Sequence, residues 1–200
     1  MDLFTEGQKL ALLFTKDSNI VEMTCTVENI WDDRLDLILP QYFMRYIEFL
    51  QEGKELTAKA FSKFGTVDFN TIVISSPLED CFSIELDYNA VRLTSGEDFA
   101  GVKAIENIEI ITHNEVLKLK TFELSTEHVR FYCDKKLPLN EEIECTLKLP
   151  RDYGTINFKA IVSEIDPIYD NEHTAVYMTM TEAARQTLLY YMYMYDKDTD

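Results

Sequence analysis

Residues 20–40 read IVEMTCTVENIWDDRLDLILP, and this stretch indicates the fold class of the N-terminal half of the chain. From 21 to 28, apolar side chains at odd positions alternate with glutamates and threonines at even positions, which is the two-residue period of a half-buried β-strand. After Asp32 and Asp33, leucines at 35, 37 and 39 resume an alternation that lasts to Pro40. Two such runs around a polar turn predict a β-hairpin with one buried face and one solvated face.

Short strand-like runs separated by polar turns continue on both sides of this hairpin. They lie at residues 8–14, 55–61, 67–75, 81–86, 105–112, 115–123, 128–133, 143–149, 155–165 and 174–179. Residues 40–50 and 181–195 change to the helical period, and Thr181 is a suitable N-cap for the second of these helices. Many short strands with one helix in each half predict a mainly β chain of two tandem small β-barrels.

The best candidate for a boundary between the two barrels is the polar stretch at residues 94–98, TSGED. We therefore predict an N-terminal barrel at residues 1–93, a linker at 94–102, and a second barrel with a C-terminal α-helix at 103–200. The apolar stripe of the helix predicted at 40–50 is expected to cover one open end of the N-terminal barrel, or alternatively to form a docking surface.

The chain is strongly acidic, with 36 Asp and Glu residues against 19 Lys and Arg residues and a formal net charge of -17. Such a surface repels phosphate backbones and anionic lipids, so we expect neither a nucleic acid polymer nor a membrane as partner. No signal-peptide pattern and no membrane-spanning apolar run is found. The four cysteines form no CxxC pair, and we expect a cytoplasmic protein with reduced thiols.

The sequence contains none of the common catalytic motifs. There is no GxSxG elbow and no phosphate-binding glycine loop. The histidines, His113, His128 and His173, have no cysteine or second histidine at a metal-ligand spacing. Adjacent carboxylates such as Glu141 and Glu142 fall in predicted turns, where they are expected to be solvated. We therefore predict no enzyme and no metal site.

The second half follows the pattern of a known family. Residues 122–131 (FELSTEHVRF), 136–150 (KLPLNEEIECTLKLP) and 154–165 (GTINFKAIVSEI) precede a strand at 175–178 and a C-terminal helix. In order and spacing this region resembles a PilZ domain, which implies a six-stranded β-barrel that receives cyclic di-GMP in bacteria. The first half resembles the split-barrel domain that precedes PilZ in the flagellar-brake family.

The ligand motifs that this resemblance implies are altered here. A binding PilZ domain has RxxxR near the linker and DxSxxG further along the chain. The best match to the first motif is Lys103 and Asn107, and the best match to the second is Glu123, Ser125 and His128. Both arginines are therefore missing, glutamate replaces aspartate, and histidine replaces glycine.

These replacements predict weak binding. Arginine suits cyclic di-GMP because its fork forms paired bonds with phosphates and its plane stacks on bases. A charged hydrogen bond is worth about 1.5–3 kcal/mol, so losing two lowers affinity roughly 10²- to 10⁴-fold. Lys103 recovers part of one contact as a point charge, and the His128 ring fills space that glycine leaves open. We expect no cofactor and no tight binding of cyclic di-GMP.

Alternative functions stay open at this point. The chain would be a receptor if cyclic di-GMP or a related nucleotide bound at the junction of the barrels, with Arg92 and Arg130 in place of the missing arginines. A cleft with a perturbed histidine or carboxylate would instead support an enzyme. The candidate ligand-binding residues are Arg92, Lys103, Asn107, Glu123, Ser125, His128 and Arg130.

The favoured function is that of a non-catalytic bacterial signalling or motility adaptor that works through protein contacts. The C-terminal helix carries apolar side chains in nearly every direction, and such a helix requires burial on more than one side. Its candidate contact residues are Leu188, Tyr190, Tyr191, Tyr193 and Met194. A protein of the flagellar or another signalling machinery, or a second copy of the chain in a homodimer, would cover them. Alternatively, the two barrels clamp the helix, or the tyrosine hydroxyls simply reach water.

Overall fold

The computed structural model describes residues 4–62, 65–78, 82–87, 92–95, 100–113 and 115–197. The chain divides into two compact units, Met1–Asp98 and Phe99–Asp200. Each unit is built on a closed β-barrel, and an α-helix ends the second unit. The predicted fold class is thus confirmed. Residues 96–99 of the predicted linker lie outside the described residues, so the bounds of that linker stay a prediction.

Six strands of the first unit close into a ring in the order β4-β1-β2-β3-β6-β5, because β4 also pairs with β5. The strands of this unit are β1 Lys9–Lys16, β2 Asn19–Ile30, β3 Arg34–Ile38, β4 Glu55–Ser62, β5 Gly65–Ser75, β6 Ser83–Asp87 and β7 Arg92–Ser95. The alternation seen in the sequence is confirmed, since Met23, Cys25 and Val27 are buried. Strand β7 was not predicted: Thr94 and Ser95, expected to open the linker, pair with β5.

The predicted helix at residues 40–50 is a 3-10 helix, Phe43–Phe49, which is irregular at Tyr46 (φ -128°). Its aromatic side chains pack on the barrel. The Phe14 ring stacks on Phe49 with 4.9 Å between centroids and lies 5.1 Å from the Tyr46 ring. A segment of seven residues is too short to be stable as an isolated helix, so its conformation depends on tertiary contacts such as these.

The second unit is a closed six-stranded barrel in the order β10-β13-β12-β11-β8-β9, and all of its ladders are antiparallel. Its strands are β8 Asn107–Ile111, β9 Val116–Leu124, β10 His128–Tyr132, β11 Glu142–Lys148, β12 Thr155–Ile165 and β13 Glu172–Met180. Buried side chains such as Ile143, Cys145 and Leu147 alternate with exposed ones along β11. One face of each strand thus fills the barrel and the other carries the candidate site.

Helix α1, Glu182–Lys197, follows the barrel. The Thr181 hydroxyl accepts the Ala184 backbone N–H at 3.2 Å, as expected of an N-cap. Near the other end, the Tyr191 hydroxyl donates to Glu106 Oε1 at 2.6 Å. This bond links the helix to the segment that leads into β8.

Candidate functional site

Glu123, His128 and Arg130 lie on the outer face of the barrel, beside a bulge in β9, and Ser125 lies in the turn that joins β9 to β10. In the pairing of β9 with β10, Arg130 faces Glu123 and Phe131 faces Thr121, so that Phe122 is the extra residue. A bulge sets two consecutive side chains on the same side of a sheet. Phe122 and Glu123 consequently lie together on the outer face, within reach of Arg130.

Glu123 uses both carboxylate oxygens inside the protein. His128 Nε2 lies 3.1 Å from Oε1, and Arg130 Nη1 donates to Oε2 at 3.2 Å. Since a carboxylate only accepts, His128 Nε2 must carry a proton. Arg130 also lies 3.5 Å from Glu172 and 4.7 Å from the centre of the Phe122 ring. Its guanidinium therefore already has two carboxylates and an aromatic ring as neighbours.

The Ser125 hydroxyl is fully engaged by the turn between β9 and β10. Its Oγ accepts the backbone N–H groups of Glu127 at 3.1 Å and of His128 at 2.9 Å. With both lone pairs occupied, its own proton is donated to His128 Nδ1 at 2.9 Å or to the His128 carbonyl at 3.1 Å. Ser125 is also buried. Such a hydroxyl is neither a free nucleophile nor a free ligand contact.

A glycine brings the segment before β8 against this turn. Gly101 has φ +102°, and Val102 pairs with Leu124 through two backbone hydrogen bonds of 2.8 and 2.9 Å. A Cβ at position 101 would lie 2.4 Å from the Leu124 carbonyl oxygen and 2.9 Å from Ser125 Cα. Only glycine allows this approach, which sets the position of Lys103 relative to the motif.

We expect Gly101→Ala to lower the free energy of unfolding by about 2–3 kcal/mol, because the new Cβ meets backbone atoms and the φ is unfavourable. Gly154→Ala is the matched control, since φ is +79° there but no atom lies within 4 Å of the added Cβ. Urea unfolding should show a loss at Gly101 that exceeds the control by at least about 1 kcal/mol. Equal losses would show that the close approach is unimportant.

The remaining ligand candidates lie outside the Glu123 network. Lys103 is exposed and forms no ion pair with any residue that the structure describes. Asn107 is also exposed and faces Lys120 in the β8–β9 ladder, three residues before Glu123 along β9. The backbone of Arg92 lies in β7, but its side chain is outside the described residues. The structure thus joins Glu123, Ser125, His128 and Arg130, and adds Phe122 and Glu172, which sequence reasoning missed.

Most of the candidate contact residues on helix α1 are buried in the folded chain. Leu188, Tyr191, Tyr193 and Met194 are each at most 6% exposed. Tyr190 is half-buried, and its ring lies 5.8 Å from that of Tyr153. These residues therefore do not form the open apolar patch that a docking helix would present, and their role in partner contact stays a prediction.

Several titratable groups are shifted by burial away from reactive forms. Burial raises the pKa of the Cys25 and Cys145 thiols to about 12, and it also raises the pKa of Cys133. Burial likewise raises the pKa of Tyr191, with a further contribution from its bond to Glu106. Among the described residues, no three His, Cys, Asp or Glu side chains are grouped to hold a metal ion. No helix in the same residues has the length and apolarity needed to cross a bilayer.

No family model matches the chain, and no curated protein matches it. Among solved structures, the Bacillus subtilis inhibitor of motility, MotI/DgrA, matches at 14% identity over 98% of this chain and 99% of that chain, with a TM-score of 0.45. YcgR of Escherichia coli, solved with cyclic di-GMP, matches at 12% identity over 96% and 85% of the two chains, also at 0.45. PlzA of Borreliella burgdorferi, again with cyclic di-GMP, matches at 9% identity over 94% and 88%, at 0.39. Scores at this level assign neither a family nor a function.

Proposed function

We propose that this chain is a non-catalytic, PilZ-like adaptor of bacterial signalling or motility, which acts through protein contacts and does not bind cyclic di-GMP tightly. The observation that carries the second part is the Glu123 network. The side chains of the site that the motif implies are hydrogen-bonded to each other and to the local backbone. The Glu123 carboxylate binds His128 and Arg130, and the Ser125 hydroxyl accepts backbone N–H groups of the turn that follows it.

A ligand would have to break these bonds before forming new ones. Arg130 is the one arginine of the motif region that the structure describes in full, and a phosphate would compete there with Glu123 and Glu172. The carboxylates are fixed on neighbouring strands, whereas a ligand also loses translational freedom on binding. The formal net charge of -17 opposes an anionic ligand further, although salt screens that effect. Arg130 is therefore a poor replacement for the missing arginines.

The adaptor role rests on the resemblance to PilZ and flagellar-brake domains noted in the sequence. We propose that a barrel of this signalling type that has lost its ligand contacts still acts by binding other proteins. The partner is then a protein of the flagellar or another signalling machinery, or a second copy of the chain.

Calorimetric titration with cyclic di-GMP at physiological salt tests the binding part of this proposal. We expect no heat of binding up to about 1 mM ligand for the natural sequence. Lys103→Ala and Ser125→Ala should give the same flat titration. Binding at about 10 μM or tighter that is lost in both variants would make the chain a receptor and overturn the proposal.

A further inference from the structure

A row of exposed side chains crosses four strands of the second barrel, next to the bulge. In the ladders, Lys148 of β11 faces Asn107 of β8, Asn107 faces Lys120 of β9, and Lys120 faces Tyr132 of β10. Residues directly opposite each other in a ladder share one face of the sheet. All four are exposed, so they form a continuous row on the outside of the barrel, which we call the lysine row.

The lysine ammonium groups at this surface form no ion pair with any residue that the structure describes, although Glu109 faces Lys118 across the β8–β9 ladder. Lys118, two residues from Lys120 on the same face of β9, belongs to the same cluster. None of Lys118, Lys120 and Lys148 pairs with a carboxylate in the part of the chain that the structure describes. By contrast, Lys135 pairs with Glu115 and Lys159 with Glu144 on this barrel. Three unpaired lysines on so acidic a protein are an unusual concentration of positive charge.

The lysine row borders a shallow depression of about 550 Å³, which is within the usual size of a small-molecule site. The exposed Tyr132 ring forms one wall and packs on Phe122 with 4.6 Å between centroids. Asn107 adds an amide that both donates and accepts. Two carboxylates, Glu109 and Asp134, also line it, and the three ammonium groups outnumber them.

We infer that the lysine row is a binding site for a nucleoside polyphosphate. Lysine binds phosphate as a point charge on a long flexible stem, so ammonium groups from β9 and β11, the two strands on either side of β8, can converge on one chain of phosphates. A base stacks on an aromatic ring such as Tyr132 whatever its identity. Lys118 and Lys120 lie roughly 7 Å apart along one strand. A ligand that contacts both lysines therefore needs several phosphate groups in a row. The site includes no member of the Glu123 network and does not depend on the proposed function.

Titration calorimetry at physiological salt with ATP, GTP, tripolyphosphate and adenosine tests this site on the full chain. We expect ATP and GTP to bind, and Lys120→Gln and Lys148→Gln each to lower their affinity about tenfold or more. Tyr132→Leu should weaken ATP but leave tripolyphosphate unchanged, because only the base contacts the ring. Adenosine alone should give no measurable heat.

Lys159→Gln is the matched control, since Lys159 is an exposed lysine of the same barrel that is already paired. It should leave ATP affinity unchanged, as should Ser125→Ala, which alters the motif instead. The inference is overturned if ATP and GTP give no heat up to about 1 mM. It is equally overturned if Lys159→Gln weakens ATP as much as Lys120→Gln does, or if a polyglutamate peptide binds the row and ATP does not displace it.

Discussion

Restoring the PilZ motif should give this barrel measurable affinity for cyclic di-GMP. The variant carries Lys103→Arg, Asn107→Arg, Glu123→Asp and His128→Gly. We expect its affinity to exceed that of the natural sequence roughly 10²- to 10⁴-fold, because two arginines each add a charged hydrogen bond worth about 1.5–3 kcal/mol. Removing the His128 ring and shortening Glu123 also breaks the internal network that holds Arg130. Calorimetry at physiological salt measures the change.

Two partial variants separate the causes of this gain. Lys103→Arg with Asn107→Arg supplies the arginines but leaves Glu123 and His128 in place, so it should gain less than the full variant. Glu123→Asp with His128→Gly opens the network without supplying arginines and should gain little. The sum of the two partial gains in binding free energy should fall short of the full gain, as for groups that share partners. A folded full variant that gives no heat would mean that the altered motif is not what prevents binding.

Truncating Phe131 should produce the largest loss of stability among the substitutions considered. Its side chain is fully buried in the second barrel, and its ring stacks on His173 with 5.7 Å between centroids and 9° between planes. Phe131→Ala is expected to lower the free energy of unfolding by about 3–5 kcal/mol, through lost burial and the cavity left behind. Urea unfolding followed by circular dichroism measures the shift in midpoint.

Phe131→Leu keeps the prediction testable if the alanine variant does not fold. It retains much of the apolar volume and should cost about 1–2 kcal/mol. Tyr169→Ala is the surface control, because Tyr169 is 60% exposed, and it should change stability by less than about 0.5 kcal/mol. A Phe131→Ala loss as small as that of the control would contradict the packing described for the barrel interior.

Strand identity was predictable because burial on one face leaves a period of two in the sequence. Met23, Cys25 and Val27 alternate with polar neighbours, and the structure buries all three. The strand at 92–95 was missed because Thr94 and Ser95 are polar and precede a glycine, which favours a loop by local rules. The helix at residues 40–50 was predictable from its apolar spacing, but its 3-10 geometry was not, because that spacing fits both kinds of helix and the contact with Phe14 is tertiary.

The sequence predicts which residues belong to the candidate site, but not which of them form hydrogen bonds with each other. Ser125, His128 and Glu123 follow from the motif pattern, but the bond between Glu123 and Arg130 depends on the β9 bulge. The bulge leaves one trace in the sequence. The inward-facing residues of β9 have odd numbers up to Thr121, but the next one is Leu124, so the alternation shifts by one residue. The contact of Arg130 with Glu172 joins two neighbouring strands that are about 40 residues apart in the sequence, and it leaves no such trace. The lysine row could not be predicted either, because its residues come from four strands and only the pairing register brings them together.

The central claim is that the motif residues are engaged with each other and do not admit cyclic di-GMP. Nitrogen NMR of the His128 ring, recorded before and after addition of cyclic di-GMP, tests this claim most directly. The geometry predicts a proton on Nε2, where Glu123 accepts it, and resonances that stay in place when the nucleotide is added. A neutral ring with its proton on Nδ1 alone, or a saturable shift of these resonances as the nucleotide is added, would contradict the claim.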